Sequence, residues 1–222
     1  MDKKEIMKIF TAILDILFPR KCVFCAKILN KNDDGWCDKC IESLPYADNH
    51  GYQNGEIFDF CVSPLYYTGV VRQSILRYKF GSVQHYSNEY AKLLADCIRE
   101  HPALKYDIIS WVPLSKKRER KRGYDQAMLL ATKTAQELGE TAAEVLIKHR
   151  DVQPQSELGD KTERSANISG AYQASNPELI KNKHILLIDD VITTGSTLDE
   201  CARVLLSAGA AGVSGATLAR GE

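Results

Sequence analysis

The 222-residue chain carries no net charge, because 29 Lys and Arg offset 29 Asp and Glu. No global field therefore draws it to nucleic acid or membrane, and any such affinity must come from a local patch. It has no apolar run long enough to span a bilayer. The amino-terminal stretch from Ile6 to Phe18 is interrupted by Lys8 and Asp15 and closed by Pro19-Arg20. That stretch lacks the small-residue cleavage site of a secretory signal, so the expected location is cytoplasmic. The chain also lacks G-x-G-x-x-G, and no lysine follows the glycine of its hydroxyl-rich turn, which excludes the Rossmann and Walker phosphate cradles. Internal repeats and low-complexity tracts are missing too, so solenoids and linker proteins drop out.

What remains is most concentrated between His184 and Leu198. An apolar strand, Ile185 to Ile188, ends in Asp189 and Asp190; Thr193-Thr194-Gly195-Ser196-Thr197 follows, and an amphipathic helix begins behind it. At the carboxyl edge of a parallel sheet this is where α/β proteins bind ligands. The first N–H groups of a helix favour an anion there, most often phosphate. The four hydroxyls add donors, and Gly195 lets the backbone approach closely. Two carboxylates would repel the phosphate itself, so they suit sugar hydroxyls or a water-mediated Mg²⁺. A ribose 5-phosphate bearing further charge fits all of this. The competing reading is an ordinary strand–helix turn with N-capping threonines.

Two C-x-x-C pairs, Cys22/Cys25 and Cys37/Cys40, stand eleven residues apart. Each such turn aims two thiolates at one metal, and together they complete a tetrahedral Cys₄ shell for structural Zn²⁺. Disulfides and an iron–sulfur cluster are the rival uses of four cysteines. Cys97 and Cys201 fall on apolar helical positions and read as buried thiols, and Cys61 carries little metal signal.

Further along, Phe58 to Tyr67 alternates as a strand, with Pro64 marking an edge. Helices are expected from Gly69 to Phe80, after Ser87-Asn88, over 126–138 and over 196–208; strands are expected at 107–112, 145–148, 185–188 and from Val213. This alternation predicts an α/β fold, a mainly parallel sheet with helices on both faces. Six of the seven residues from Lys116 to Arg122 are basic. Runs of this kind are usually solvated loops. This one leaves the same sheet edge as the acidic pair, where Lys116, Lys117 and Arg120 could meet a pyrophosphate. A polar stretch, His149 to Asn167, is a weaker loop candidate at that edge. Ile6, Ile9, Phe10, Ile13, Leu14 and Leu17 share one face of an amino-terminal amphipathic helix, which either docks on the body or rests on a membrane surface.

The acidic pair and phosphate loop resemble the phosphoribosyl diphosphate (PRPP) motif of type I phosphoribosyltransferases. With the two C-x-x-C pairs, Tyr67-Thr68-Gly69, Tyr78-Lys79-Phe80, Val112-Pro113-Leu114, Lys121 to Ala127 and Leu218-Ala219-Arg220, the chain resembles the ComF family. The resemblance runs from about Leu17 to Arg220, and with the amphipathic helix read over 1–20 it implies a Cys₄ zinc ribbon over 21–62 and a phosphoribosyltransferase-like domain over 63–222. It implies Asp189 and Asp190 as catalytic and ribose-binding groups, the 193–197 loop on the 5-phosphate, and Mg²⁺ arriving with PRPP. It also implies a role in natural competence, handling single-stranded DNA beside a helicase-like partner; in such a role Trp36, Tyr78 or Tyr124 would be the residues for base stacking. Transfer of the phosphoribosyl group to a base or amine is the alternative. Tyr124-Asp125 departs from the R-G-F-N-Q pattern, and Asp125 is expected to weaken the basic loop by adding negative charge.

Overall fold

The computed structural model describes residues 19–30, 33–149 and 170–221, together with Glu5 and Met7. The apolar face expected over 1–20, and residues 150–167 of the polar stretch that begins at His149, lie outside the described residues. Two compact units divide the chain, Met1–Leu44 and Pro45–Glu222.

The described residues within 19–44 of the first unit consist of turns and one short helix. Lys21 bridges Ile28 in antiparallel fashion around the first C-x-x-C pair. The second pair opens a short helix, α1 (Asp38–Glu42), with Cys37 at its N-cap. β1 (Gln53–Asn54) and β2 (Phe60–Val62) belong to the sheet of the second unit.

That sheet continues with β3 (Leu65–Tyr66), β4 (Ile108–Trp111), β7 (His184–Ile192) and β8 (Gly212–Arg220). Its order is β1-β2-β8-β7-β4, with β3 also on β8. Every pairing is parallel except β1 with β2. The expected single strand through Phe58–Tyr67 is two short strands broken at Ser63-Pro64, since proline cannot donate to a ladder. β5 (Leu146–Lys148) does not join the main sheet; it pairs antiparallel with β6 (Tyr172–Ala174) in a separate ribbon.

Helices α2 (Gly69–Phe80), α3 (Tyr86–Arg99), α4 (Lys116–Arg122), α5 (Gln126–Glu137), α6 (Pro177–Ile180) and α7 (Ser196–Ser207) complete the unit. On α7, Leu198, Cys201, Ala202 and Leu205 recur at helical spacing and are buried against Ile185, Leu187 and Val213. α3 and α5 pack together, with α3 on β8 and α5 on β4 and β7. The basic run is therefore helical, not a loop. Ser115 caps it by accepting the Arg118 N–H, and Gly123, in the left-handed region (φ 84°), closes it.

Candidate functional site

In the first unit the Sγ atoms of Cys22, Cys25, Cys37 and Cys40 all lie within 4.8 Å of one another. Cys25 and Cys37 are 3.8 Å apart. A tetrahedral ion with Zn–S bonds of about 2.3 Å needs sulfurs about 3.8 Å apart, so the shell fits zinc. All four cysteines are free, which removes the disulfide alternative. Four thiolates close the coordination sphere and make the site structural. Cys61, Cys97 and Cys201 are buried thiols elsewhere, and burial pushes Cys61 and Cys97 each up to about 12.

In the second unit, β7 does not stop before the acids; it runs through both to Ile192, paired with β8 as far as Arg220. Side chains alternate along a strand. Asp189 therefore shares the face of Ile185 and Leu187, under α7, while Asp190 faces the α3–α5 layer. Asp189 lines one depression with Thr193, Gly195 and Thr197. Burial, then the adjacent Asp190 carboxylate, push Asp189 up to about 8, against the opposing pull of Lys79. Asp190 is buried and ion-paired to Lys79 at 2.7 Å. The 193–197 turn thus meets one acid directly, and the other is held from behind the sheet.

Gly195, not a threonine, is the N-cap of α7, and it adopts the left-handed region (φ 82°). A side chain there would be strained and would also sit 3.2 Å from the Phe58 ring. Thr194 Oγ1 and Ser196 Oγ are 3.0 Å apart, which gathers two hydroxyls at the turn. The loop is fastened from β1 and the turn after it. Gln53 Nε2 donates to the Thr193 carbonyl at 3.3 Å, and Asp199 Oδ1 accepts the N–H groups of Glu56 and Ile57. No sequence signal marked Gln53, Phe58 or Asp199, because their partners lie about 140 residues away along the chain.

β4 and β7 are parallel, so α4 begins at the carboxyl edge of the sheet, the edge that carries the phosphate loop. Lys116, Lys117 and Arg120 are exposed on it. Asp125 does not join this basic surface. It is buried at the N-cap of α5, where its carboxylate accepts N–H groups of Ala127 at 2.9 Å, Met128 at 3.0 Å and Leu114 at 2.8 Å. Of the aromatic candidates, Tyr78 and Tyr124 are buried and unavailable for stacking, and Trp36 is half-buried. Phe80 was not singled out for stacking, yet its ring is 67% exposed with the Arg122 guanidinium 5.0 Å above it.

Comparison with known proteins follows this division. The family model described as phosphoribosyl transferase domain matches residues 125–222, and the one described as double zinc ribbon domain matches residues 13–58. The ribbon match contains four cysteines, enough for one Cys₄ shell. Competence protein F of Haemophilus influenzae is 28% identical over 214 residues, covering 86% of this chain and 93% of its own length. Competence protein ComFC of Bacillus subtilis is 32% identical over 155 residues, 69% of this chain and 61% of that protein. DNA utilization protein YhgH of Escherichia coli is 34% identical over 108 residues, so the chain spans 46% of its length. A solved structure titled as the allosteric regulatory enzyme of purine biosynthesis matches with a TM-score of 0.43 at 21% identity, over 63% of this chain and 29% of that one. Among the described residues no helix is long and apolar enough to cross a membrane. The alignment to Competence protein F is too long to lie within the second unit alone, so ribbon and transferase domain share one relative, and the chain is similar along most of its length to a competence protein.

Proposed function

We propose that the second unit binds PRPP, or a closely related ribose 5-phosphate, and that the protein uses this site in competence-related handling of single-stranded DNA. The observation that carries the ligand is the depression shared by Asp189, Thr193, Gly195 and Thr197. The 5-phosphate lies against the 193–197 turn and the first turn of α7, whose N–H groups favour an anion. Asp189, with Asp190 behind it, accepts hydrogen bonds from the ribose hydroxyls. Lys116, Lys117 and Arg120 supply cations for the pyrophosphate at the same sheet edge. Bound with the ligand, Mg²⁺ would neutralise pyrophosphate charge, and Asp189 is the acid that reaches toward it through water.

Calorimetry tests this reading. PRPP with Mg²⁺ is expected to give saturable heat with the wild type and none with Asp189→Asn/Asp190→Asn. Equal, negligible heats from both proteins would defeat the site.

For nucleic acid the support is the exposed basic helix α4, with relatives named for competence and DNA utilization. Affinity for a single-stranded oligonucleotide is expected to fall steeply with salt. Lys116→Glu/Lys117→Glu/Arg120→Glu should flatten the log–log slope by about 2, at roughly 0.7 for each phosphate no longer neutralised. A slope that is flat in the wild type would argue against this surface. A helicase-like competence protein is the protein partner in this scheme.

The second reading is transfer to an acceptor base or amine, favoured by Asp189 standing beside the ribose position. The C1–O bond to pyrophosphate would break, a C1–N bond would form, and the acceptor nitrogen would lose its proton to solvent. Pyrophosphate release in the presence of candidate acceptors separates the two readings.

A further inference from the structure

One buried contact ties the ligand edge to a helix outside the phosphate-loop motif. Lys79, in the last turn of α2, places Nζ 2.7 Å from Asp190 Oδ1, with the two side chains only 20% and 5% exposed. The second oxygen, Asp190 Oδ2, is buried and has no hydrogen-bond partner among the described residues. The titratable groups that act on Asp190 electrostatically are Tyr78 and Lys79 from α2, Tyr90 from α3, Tyr124 ahead of α5, and Asp189 on its own strand. The three phenols are bonded to other groups. Tyr78 donates to the Gln126 carbonyl, Tyr124 donates to the Tyr78 carbonyl, and Tyr90 is bonded to Ser74.

A buried carboxylate needs a compensating charge and fixed partners. Here Lys79 supplies both. With Oδ1 engaged, Oδ2 is the acceptor left over. A buried acceptor without a partner is unfavourable, so the ion pair with Lys79 is what fixes this carboxylate in place.

We propose that Lys79 is a positioning residue for the acid pair: it holds the Asp190 carboxylate in one orientation behind the sheet, and through the Asp190 N–H, which donates to Asp189 Oδ1 at 2.8 Å, it fixes the acid that faces the loop depression. This inference rests on the phosphoribosyl reading above. Lys79 does not touch the ligand; it acts through Asp190. The arrangement leaves Asp189 to face the loop depression and gives the two neighbouring acids separate duties on opposite faces of one strand.

The test is a double-mutant cycle read by calorimetry with PRPP and Mg²⁺, with thermal midpoints recorded alongside. Lys79→Met is expected to weaken binding about 10-fold, and Lys79→Arg to keep most of the affinity, because groups in direct contact are energetically coupled. In an Asp190→Asn background, Lys79→Met should change binding by less than about 2-fold, since its partner is already gone. Lys79→Met alone leaves an uncompensated buried carboxylate; the neutral pair Lys79→Met/Asp190→Asn keeps the cycle readable if the single variant unfolds. Wild-type affinity in a folded Lys79→Met protein, or equal weakening with and without Asp190, would overturn the role of Lys79 while leaving the ligand site standing. No heat from the wild type would instead bring down the phosphoribosyl reading, and this inference with it.

Discussion

Chelating the zinc is expected to unfold residues 19–44 while the sheet of the second unit stays folded. The reason is the small number of buried apolar side chains described in residues 19–44. These are Val23, Phe24 and Leu44, with Cys22 and Cys40. So few groups cannot offset the conformational entropy of the segment they hold, and units this small generally rely on a metal or disulfides. A closed thiolate shell contributes about 10–16 kcal/mol in comparable zinc modules at neutral pH. Purified protein should therefore hold one zinc per chain, and Cys25→Ser should hold much less. Hydrogen exchange locates the effect: amides of the knuckle, such as Cys22 N–H to the Lys27 carbonyl at 2.8 Å and Val23 N–H to the Gly35 carbonyl at 2.9 Å, should lose protection when the metal is removed. Amides of β7 and β8 should keep theirs. Full protection of the knuckle in metal-free protein would show that the cysteines are not what holds this unit together.

Such a unit is easy to read from sequence because its chemistry is local, with spacing of two and eleven residues between ligands. The same applies to the long elements. α2, α5 and α7 follow from apolar residues at helical spacing, and β4 and β8 from short buried runs. Elements that depend on distant partners were not legible in this way. β1, β2 and β3 are two or three residues long, too short to show a period, and exist because neighbouring strands offer them edges. β5 looked like a sheet strand, yet its partner β6 begins only at Tyr172. The basic run looked like a loop because its charges hid the cap at Ser115 and the closing Gly123.

At the ligand edge, the turn from Thr193 to Thr197 and the acidic pair were legible in the order of the residues. Their division between two faces was not, because the run gave no sign that β7 continues past Asp189. Asp125 illustrates the same limit. As a letter in the sequence it is a negative charge in a basic stretch, and only the backbone around it makes it a helix cap. Lys79 could be noticed as part of Tyr78-Lys79-Phe80, but Asp190, its partner, lies far away along the chain.

Asp189→Asn should make the protein more stable above neutral pH, although it removes an acid of the proposed ligand site. Burial, and then the neighbouring Asp190 carboxylate, raise the folded-state value of Asp189 from an ordinary 3.8 to about 8. Between those values the folded protein holds a proton on Asp189 that the unfolded chain has released. Stability therefore falls as pH rises through this window, because the folded state binds more protons than the unfolded one. Asparagine carries no such penalty. Near pH 4 wild type and variant should melt at similar temperatures, since Asp189 is largely protonated when folded. The gain should grow toward pH 8 and then level off. A tenfold change in proton affinity corresponds to about 1.4 kcal/mol, and relief of that size moves the midpoint by about 2–4 °C in a chain of this length. Melting curves from pH 4 to 9 on both proteins, with PRPP absent, measure it directly. A gain that does not vary with pH would mean the substitution acts through packing, and a loss at pH 8 would mean the carboxylate is stabilised by its surroundings. The expected pattern is that of a group kept for ligand binding at a cost to the fold: the ionised form becomes favourable only when a sugar hydroxyl or a hydrated cation reaches it.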